Sequence, residues 1–133
     1  MGLKTMSLLY GATITPSGGV ALAFAEDGVT IQNGVHMIAP GDPDYQTRRQ
    51  VTAKYRPPTL DVKTSTYSKD KKSVSLSLPI VLVDGRVVFN TIRIEREVHP
   101  SLPAADVIEL NKLGAQILVD SDTVDFWATG SLS

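Results

Sequence analysis

The sequence predicts an α+β fold, an antiparallel β-sheet with an N-terminal hairpin followed by two C-terminal helices. Three observations carry this expectation. Residues 71–98, KKSVSLSLPIVLVDGRVVFNTIRIEREV, alternate apolar and polar side chains on both sides of Asp84-Gly85. Shorter runs bounded by Gly, Pro, Asn and Asp precede them from residue 6 onward. After Val98 the apolar period changes from two to between three and four, the spacing of a helix. Strands first and helices last put the helices on one face of the sheet. At 133 residues the chain reads as one domain, 1–133.

The central hairpin is the plainest element. Ser73, Ser75 and Ser77 fall on one face, and Val74, Leu76 and Leu78 on the other. The second arm sets Thr91, Arg93, Glu95 and Glu97 against Ile92, Ile94 and Val98. Such alternation marks a sheet with one dry and one polar face. Asp84-Gly85 suits a two-residue type I′ turn, because both residues tolerate positive φ. Pro79 has no amide proton, so it belongs at an edge position or a bulge.

Upstream, Met6–Thr15 and Val20–Ala25 read as the two strands of an N-terminal hairpin around Pro16-Ser17-Gly18-Gly19. Glu26-Asp27-Gly28 reads as a turn, Val29–Gln32 as a short strand, Asn33-Gly34 as a hairpin dipeptide and Val35–Ala39 as the returning strand. Residues 40–44, PGDPD, read as a loop. Gln46–Arg56 alternates again: Val51, Ala53 and Tyr55 oppose Gln50, Thr52, Lys54 and Arg56. Pro57-Pro58 stops that strand, since neither can donate to a ladder. Thr59–Tyr67 fits a further strand or a long flap.

In the C-terminal part, Ser101 is the expected N-cap and Pro103 sits in the first turn. Asp106 falls near the positive end of the helix dipole. Val107, Leu110, Leu113, Ile117 and Leu118 make the apolar stripe. Ser121 or Asp120 caps a second short helix, Thr123 to about Ala128, which carries Phe126 and Trp127. Gly130 ends it. Two such helices cover only part of a sheet about six strands wide. The uncovered dry face requires a partner, and the expected partner is a second copy, in an obligate dimer with each chain's helices over the other's sheet.

Composition narrows the function. The chain is 42% hydrophobic and 20% charged, with 13 basic against 14 acidic residues and a net charge of -1. Bulk charge therefore argues against nucleic-acid binding unless a local patch supplies it. No cysteine is present, which excludes disulfides and thiolate metal sites. No apolar run approaches the roughly 20 residues of a membrane span, and the N-terminus lacks a signal-peptide design; no membrane partner is expected. The two histidines, His36 and His99, are too few for a zinc site, and no hydrolase, metalloprotease or phosphate-loop motif occurs. No cofactor is expected. Glu95 and Glu97 form a carboxylate pair at i, i+2. With Arg93 and Arg96 beside them they read as a charge-paired surface strand rather than an acid–base pair. The expectation is that the protein is not an enzyme.

The polar sheet face remains. Thr52, Lys54 and Arg56 line it from one strand, Ser73, Ser75 and Ser77 from the next, and Thr91, Arg93 and Glu95 from the last. Hydroxyls beside Lys and Arg hold phosphate oxygens and sugar or base edges. Lys63, Lys69, Lys71 and Lys72 extend the basic area. An ordinary solvated face has the same composition, so residue type alone leaves three readings open: a structural RNA-binding protein, a dimeric ligand-binding module, and a small enzyme using Glu95 and Glu97.

The order of elements resembles the coat proteins of single-stranded RNA bacteriophages, the levivirus group. Asn33-Gly34-Val35 is followed by Arg49–Arg56, RQVTAKYR, similar to the family's strand with a V-T-x-x-x-R pattern. Lys71-Lys72 and Ser73–Pro79 are similar to its alternating strand ending in proline, and two helices follow the last strand. The resemblance covers essentially the whole chain. It implies an intertwined homodimer whose helices pack across the partner's sheet, and dimers that close into an icosahedral shell around genomic RNA. It also implies an inner sheet face that binds an RNA stem-loop and represses translation, in a virion assembled in the cytoplasm of a bacterial host. By position Thr52, Lys54 and Arg56 match the family's RNA-facing strand. Ser73 and Ser75 stand where the family has threonine and lysine. Thr91, Arg93 and Glu95 match the polar alternation of its last strand. Besides these serines, the chain departs from the family in two connections. The long loop between the last two strands is replaced by the tight turn at Asp84-Gly85, and Pro57–Asp70 is longer than the family's turn.

Overall fold

The computed structural model describes residues 4–14 and 16–130. In chain order the described elements are β1 (Ala25–Ile31), β2 (Gly34–Ile38), β3 (Gln50–Arg56), β4 (Leu60–Asp61), β5 (Thr66–Tyr67), β6 (Asp70–Val81), β7 (Val87–Val98), α1 (Ala104–Val119) and α2 (Val124–Thr129). They group into two compact units. One is built from 19–100, the other from 1–18 together with 101–133.

The first unit is an antiparallel five-stranded sheet, ordered β1-β2-β3-β6-β7. β4 and β5 form a separate two-stranded hairpin, so the flap at Thr59–Tyr67 is a small hairpin and the main sheet is five strands wide rather than six. The central hairpin forms as its alternation dictates. β6 and β7 pair from Asp70↔Val98 to Val81↔Val87. Its turn differs from the expected two-residue form. Leu82 N donates to Arg86 O (2.8 Å) and Gly85 N to Leu82 O (2.9 Å), enclosing Val83-Asp84-Gly85. Only Gly85 is left-handed in this loop (φ 88°), the pattern of a three-residue loop with one bulge glycine. Asp84 instead spends its carboxylate on the Arg86 N–H (3.0 Å) and guanidinium (2.6 Å). Pro79 lies beyond the reach of β3, whose pairing with β6 stops at Ser77. There β6 has one neighbour, and the missing N–H costs no ladder bond.

The N-terminal strands are corrected. Residues 6–14 and 20–24 form no strand; Thr15 lies outside the described residues. The hairpin that opens the sheet is β1–β2. The expected turn at Glu26-Asp27-Gly28 is a bulge inside β1, where register shifts between Glu26 and Thr30. Gly28 is left-handed (φ 83°) and Asp27 Oδ1 accepts from Val29 N (3.0 Å). The local turn chemistry is thus present, absorbed as two extra residues in a continuing strand. Gly34 opens β2 for a different reason: a Cβ there would collide with the Ala53 carbonyl oxygen of β3. The strand expected at Gln46 begins at Gln50. The four residues before it belong to a loop fastened by Asp42, which accepts from the Arg49 amide (3.0 Å) and both arms of its guanidinium (2.9 and 2.8 Å). Arg49 holds the Asp42 carboxyl down at about 2.

In the second unit α1 starts at Ala104 with Pro103 as N-cap, not Ser101. Proline disfavours helical backbone at the residue before it, so Leu102 stays outside. The Pro103 carbonyl then accepts from Asp106 N (3.0 Å) and Val107 N (3.1 Å). α2 is capped at Thr123 rather than Asp120 or Ser121. Thr123 is 2% exposed, and its hydroxyl donates to Ile117 O (2.6 Å) and is 3.0 Å from Asp120 O. It locks the corner between the helices. Gly130, left-handed at φ 74°, closes α2 by donating to Phe126 O (2.8 Å). Residues 7–11 run along the helices, held by side chains instead of a strand partner. Ser7 N donates to Asp122 (3.0 Å), Leu9 N to Gln116 Oε1 (2.8 Å), Gln116 Nε2 to Leu9 O (2.9 Å), and Gly11 N to Glu109. These partners explain why the N-terminal run does not pair as a hairpin: its backbone is already satisfied.

Among the described residues only Ala39, Pro79, Val98 and Thr123 are buried. On β6 exposure runs opposite to hydropathy. Val74, Leu76, Leu78 and Ile80 are exposed, whereas Ser73, Ser75 and Ser77 are half-buried. Ile92 and Ile94 on β7, and Ile108, Leu110, Ile117 and Trp127 on the helices, are exposed as well.

Candidate nucleic-acid interface

Alternation and register together assemble the polar face. Each strand contributes every second residue, and the ladder sets them in rows. One row reads Lys54–Ser73–Glu95, the next Thr52–Ser75–Arg93. Below them come Gln50–Ser77–Thr91, and above them Arg56–Lys71–Glu97. Serine matters here by its size. Short side chains on β6, flanked by long ones on β3 and β7, leave a trough along the middle strand. Thr52, Lys54, Ser73, Ser75, Arg93 and Glu95 line a concavity of about 320 Å³. Arg56, with Lys54, Lys71 and Ser73, borders an adjoining one of about 350 Å³.

Thr52, Lys54, Arg56, Lys71, Ser73, Ser75, Arg93 and Glu95, all singled out from the sequence, are therefore brought to two adjoining hollows. Thr91 shares the face, one row further down, opposite Ser77. Lys63 does not join them. It lies in the turn of the β4–β5 hairpin, where its amide donates to Asp61 (3.0 Å). Lys72 is also corrected: it pairs with Tyr55 and Arg96 on the apolar side, with its ammonium 5.2 Å from the Tyr55 ring centroid.

Charge on this face is not balanced evenly. Lys71 lies 3.1 Å from Glu95 and 3.8 Å from Glu97, so a lysine occupies the carboxylate pair that an acid–base mechanism would need. Arg93 Nε donates to Ser75 (3.3 Å). Among the described residues no carboxylate pairs with Lys54, Arg56 or Arg93. A net charge of -1 overall thus coexists with unneutralised cations concentrated on one sheet face.

Sequence reasoning missed His36 and understated Gln50. His36 pairs with Thr52 across the β2–β3 ladder and so extends the Thr52–Ser75–Arg93 row. Its Nδ1 lies 2.6 Å from Asp27 Oδ2 and its Nε2 3.1 Å from Gln50 Oε1. The Asp27 carboxyl is held below its ordinary range, first by the Val29 amide and then by His36. The signal was positional: His36 stands two residues after Gly34, on the parity that places it beside Thr52. No group of three or more His, Cys, Asp or Glu suited to a metal ion occurs among the described residues, and no described helix is long and apolar enough to cross a membrane.

No protein-family model and no curated protein matches the sequence. Solved structures do. The chain is 40% identical to a chain from the virus-like particle of bacteriophage GQ-907, over 96% of this chain and 97% of that one, with a TM-score of 0.89. The chain belongs to the levivirus coat-protein family. Two more distant structures share the fold of this coat protein. A chain from the virus-like particle of Wenzhou levi-like virus 4 is 19% identical, with a TM-score of 0.65 over 93% of this chain and 85% of that one. One from bacteriophage AVE019 is 11% identical, with a TM-score of 0.64 over 83% and 86%. The five-stranded sheet followed by two C-terminal helices is the coat-protein fold, and no enzyme family is indicated.

Proposed function

We propose that this coat protein forms an intertwined homodimer, and that dimers close into an icosahedral shell around single-stranded genomic RNA. The polar sheet face meets that RNA, and a stem-loop bound there represses translation. The virion is assembled in the cytoplasm of a bacterial host. One observation carries the reading: the two faces of one sheet are both unfinished. The apolar side of β6 and β7 is exposed, and so are Ile108, Leu110, Ile117, Leu118, Val124 and Trp127 on α1 and α2. A chain of this length ordinarily hides about two-thirds of its surface when it folds. Apolar faces of this extent call for a partner surface, and a second copy supplies matching ones by twofold symmetry. The opposite side carries Lys54, Arg56 and Arg93 without carboxylate partners, next to hydroxyls, in a trough. That is the chemistry of phosphate and sugar contact.

Expression, electron microscopy and absorbance test the reading together. Uniform shells with a nucleic-acid spectrum are expected. Lys54→Ala combined with Arg56→Ala is expected to leave shells intact and reduce their RNA, because each lost phosphate contact removes released counterions from the binding free energy. Unchanged RNA content would move the packaging surface elsewhere. A stable folded monomer at micromolar concentration in sedimentation would end the dimer reading.

A further inference from the structure

The polar face contains one feature that a purely phosphate-binding surface would not. Glu95 lines the same 320 Å³ concavity as Lys54 and Arg93. A carboxylate is an acceptor only, and it repels phosphate. In a site meant for a polyanion backbone it is a liability unless something presents hydrogen-bond donors to it. In RNA those groups lie on the edges of unpaired bases and on ribose hydroxyls. Lys71, at 3.1 Å from Glu95 Oε1, holds the carboxylate in place, and no described residue hydrogen-bonds Oε2. Each carboxylate oxygen has two lone-pair sites, so the Lys71 contact does not exhaust Oε1. Lysine and carboxylate together make an adjacent donor and acceptor at one end of the hollow. Arg93 and Lys54, on neighbouring rows, supply further donors.

Resting on the RNA-packaging reading, we infer that Glu95 is a specificity-determining residue, which selects an unpaired guanine in this concavity. Guanine alone among the four bases offers two adjacent N–H donors, N1–H and N2–H, to a carboxylate's two oxygens, with an acceptor, O6, beside them for a cation. Cytosine and adenine each offer one amino group on that edge. Uracil offers a single N–H between two carbonyl oxygens, one of which would face the carboxylate. The serines at 73 and 75 fit this role. They leave the floor of the hollow low enough for a flat ring and can donate or accept.

The test uses full-length protein freed of RNA and four hairpins that share one stem and differ at one base of the loop. Binding is measured across a salt series. The guanine loop is expected to bind about tenfold more tightly than the uracil loop, the discrimination of one good base contact. Glu95→Gln, which keeps the shape of the side chain, is expected to collapse that ratio to about twofold or less without weakening the uracil loop. Arg56→Ala, which borders only the adjoining hollow, is expected to weaken all four loops alike and to reduce the salt slope by about one. Equal binding of all four loops by the unaltered protein would overturn base selection while leaving RNA binding standing. A guanine preference that survives Glu95→Gln, with an unchanged melting temperature, would overturn the role of Glu95. Failure to bind any hairpin at low salt would overturn the packaging surface itself. The loop series on unaltered protein needs no variant to fold, so it decides on its own whether a base is read.

Discussion

Leu76→Ala isolates the claim that the dry face is an interface. Leu76 sits mid-strand on β6, paired across the ladder with Val51 and Ile92, and is still 37% exposed in the single chain. Fully burying a leucine is worth about 2–3 kcal/mol. The outstanding third or so amounts to about 1 kcal/mol per chain, gained only when a partner covers it. Twofold symmetry repeats the site, so the dimer-dependent share is about 2 kcal/mol. That corresponds to about a thirtyfold increase in the dimer dissociation constant. Sedimentation equilibrium over a dilution series measures it, supported by the concentration dependence of the melting temperature. Ser75→Ala, one residue away on the opposite face, is the control and should leave dissociation unchanged. If Leu76→Ala lowers the melting temperature equally at every concentration and leaves dissociation where it was, the dry face is not where the two copies meet.

Other expectations concern single contacts. Thr123→Val keeps the shape but removes the hydroxyl that bonds Ile117 O; Trp127 Nε1 still donates to that carbonyl (3.0 Å), so thermal denaturation should show a loss of about 0.5–1.5 kcal/mol, the net worth of one hydrogen bond. Gly34→Ala drives a Cβ into the Ala53 carbonyl and should cost about 1–3 kcal/mol as an overpacked contact, whereas Gly41→Ala, which meets open space, serves as its comparison. The Asp42–Arg49 clamp predicts a pH dependence. The Asp42 pKa is lowered from 3.8 to about 2, so its stabilising contribution is complete above pH 3.8 and is lost as pH falls toward 2. Asp42→Asn should remove that component from an acid titration of the melting temperature.

The long hairpin was legible because its signal is redundant. Ser73–Leu78 and Thr91–Glu95 alternate without interruption, and the structure pairs all twelve residues of each arm. The polar face followed directly, since alternation fixes parity and parity fixes which side chains share a side. Lys72 was misassigned for want of that rule: its even number puts it with Val74 and Leu76. The N-terminal run was not legible. Residues 6–10, MSLLY, have the composition of a strand, yet residues 7–11 are satisfied by Asp122, Gln116 and Glu109, more than ninety positions away. No local pattern announces such partners. Gly28 shows the complementary failure. Its turn chemistry was read correctly, but whether a left-handed glycine ends a strand or bulges it depends on the neighbouring strand's register. His36 was passed over because one histidine without others suggests no chemistry; only the ladder places it beside Thr52.

The reversed exposure of β6 has a kinetic consequence. The β6–β7 arms are contiguous in sequence and can close within microseconds as a local event, but closure displays valine, leucine and isoleucine to water and conceals little. If a second copy closes the dry face, as proposed, completion waits on a collision between two chains. Accumulation of finished subunits should therefore rise with the square of synthesis rate at low expression, and the waiting species is the one exposed to proteases and to clumping.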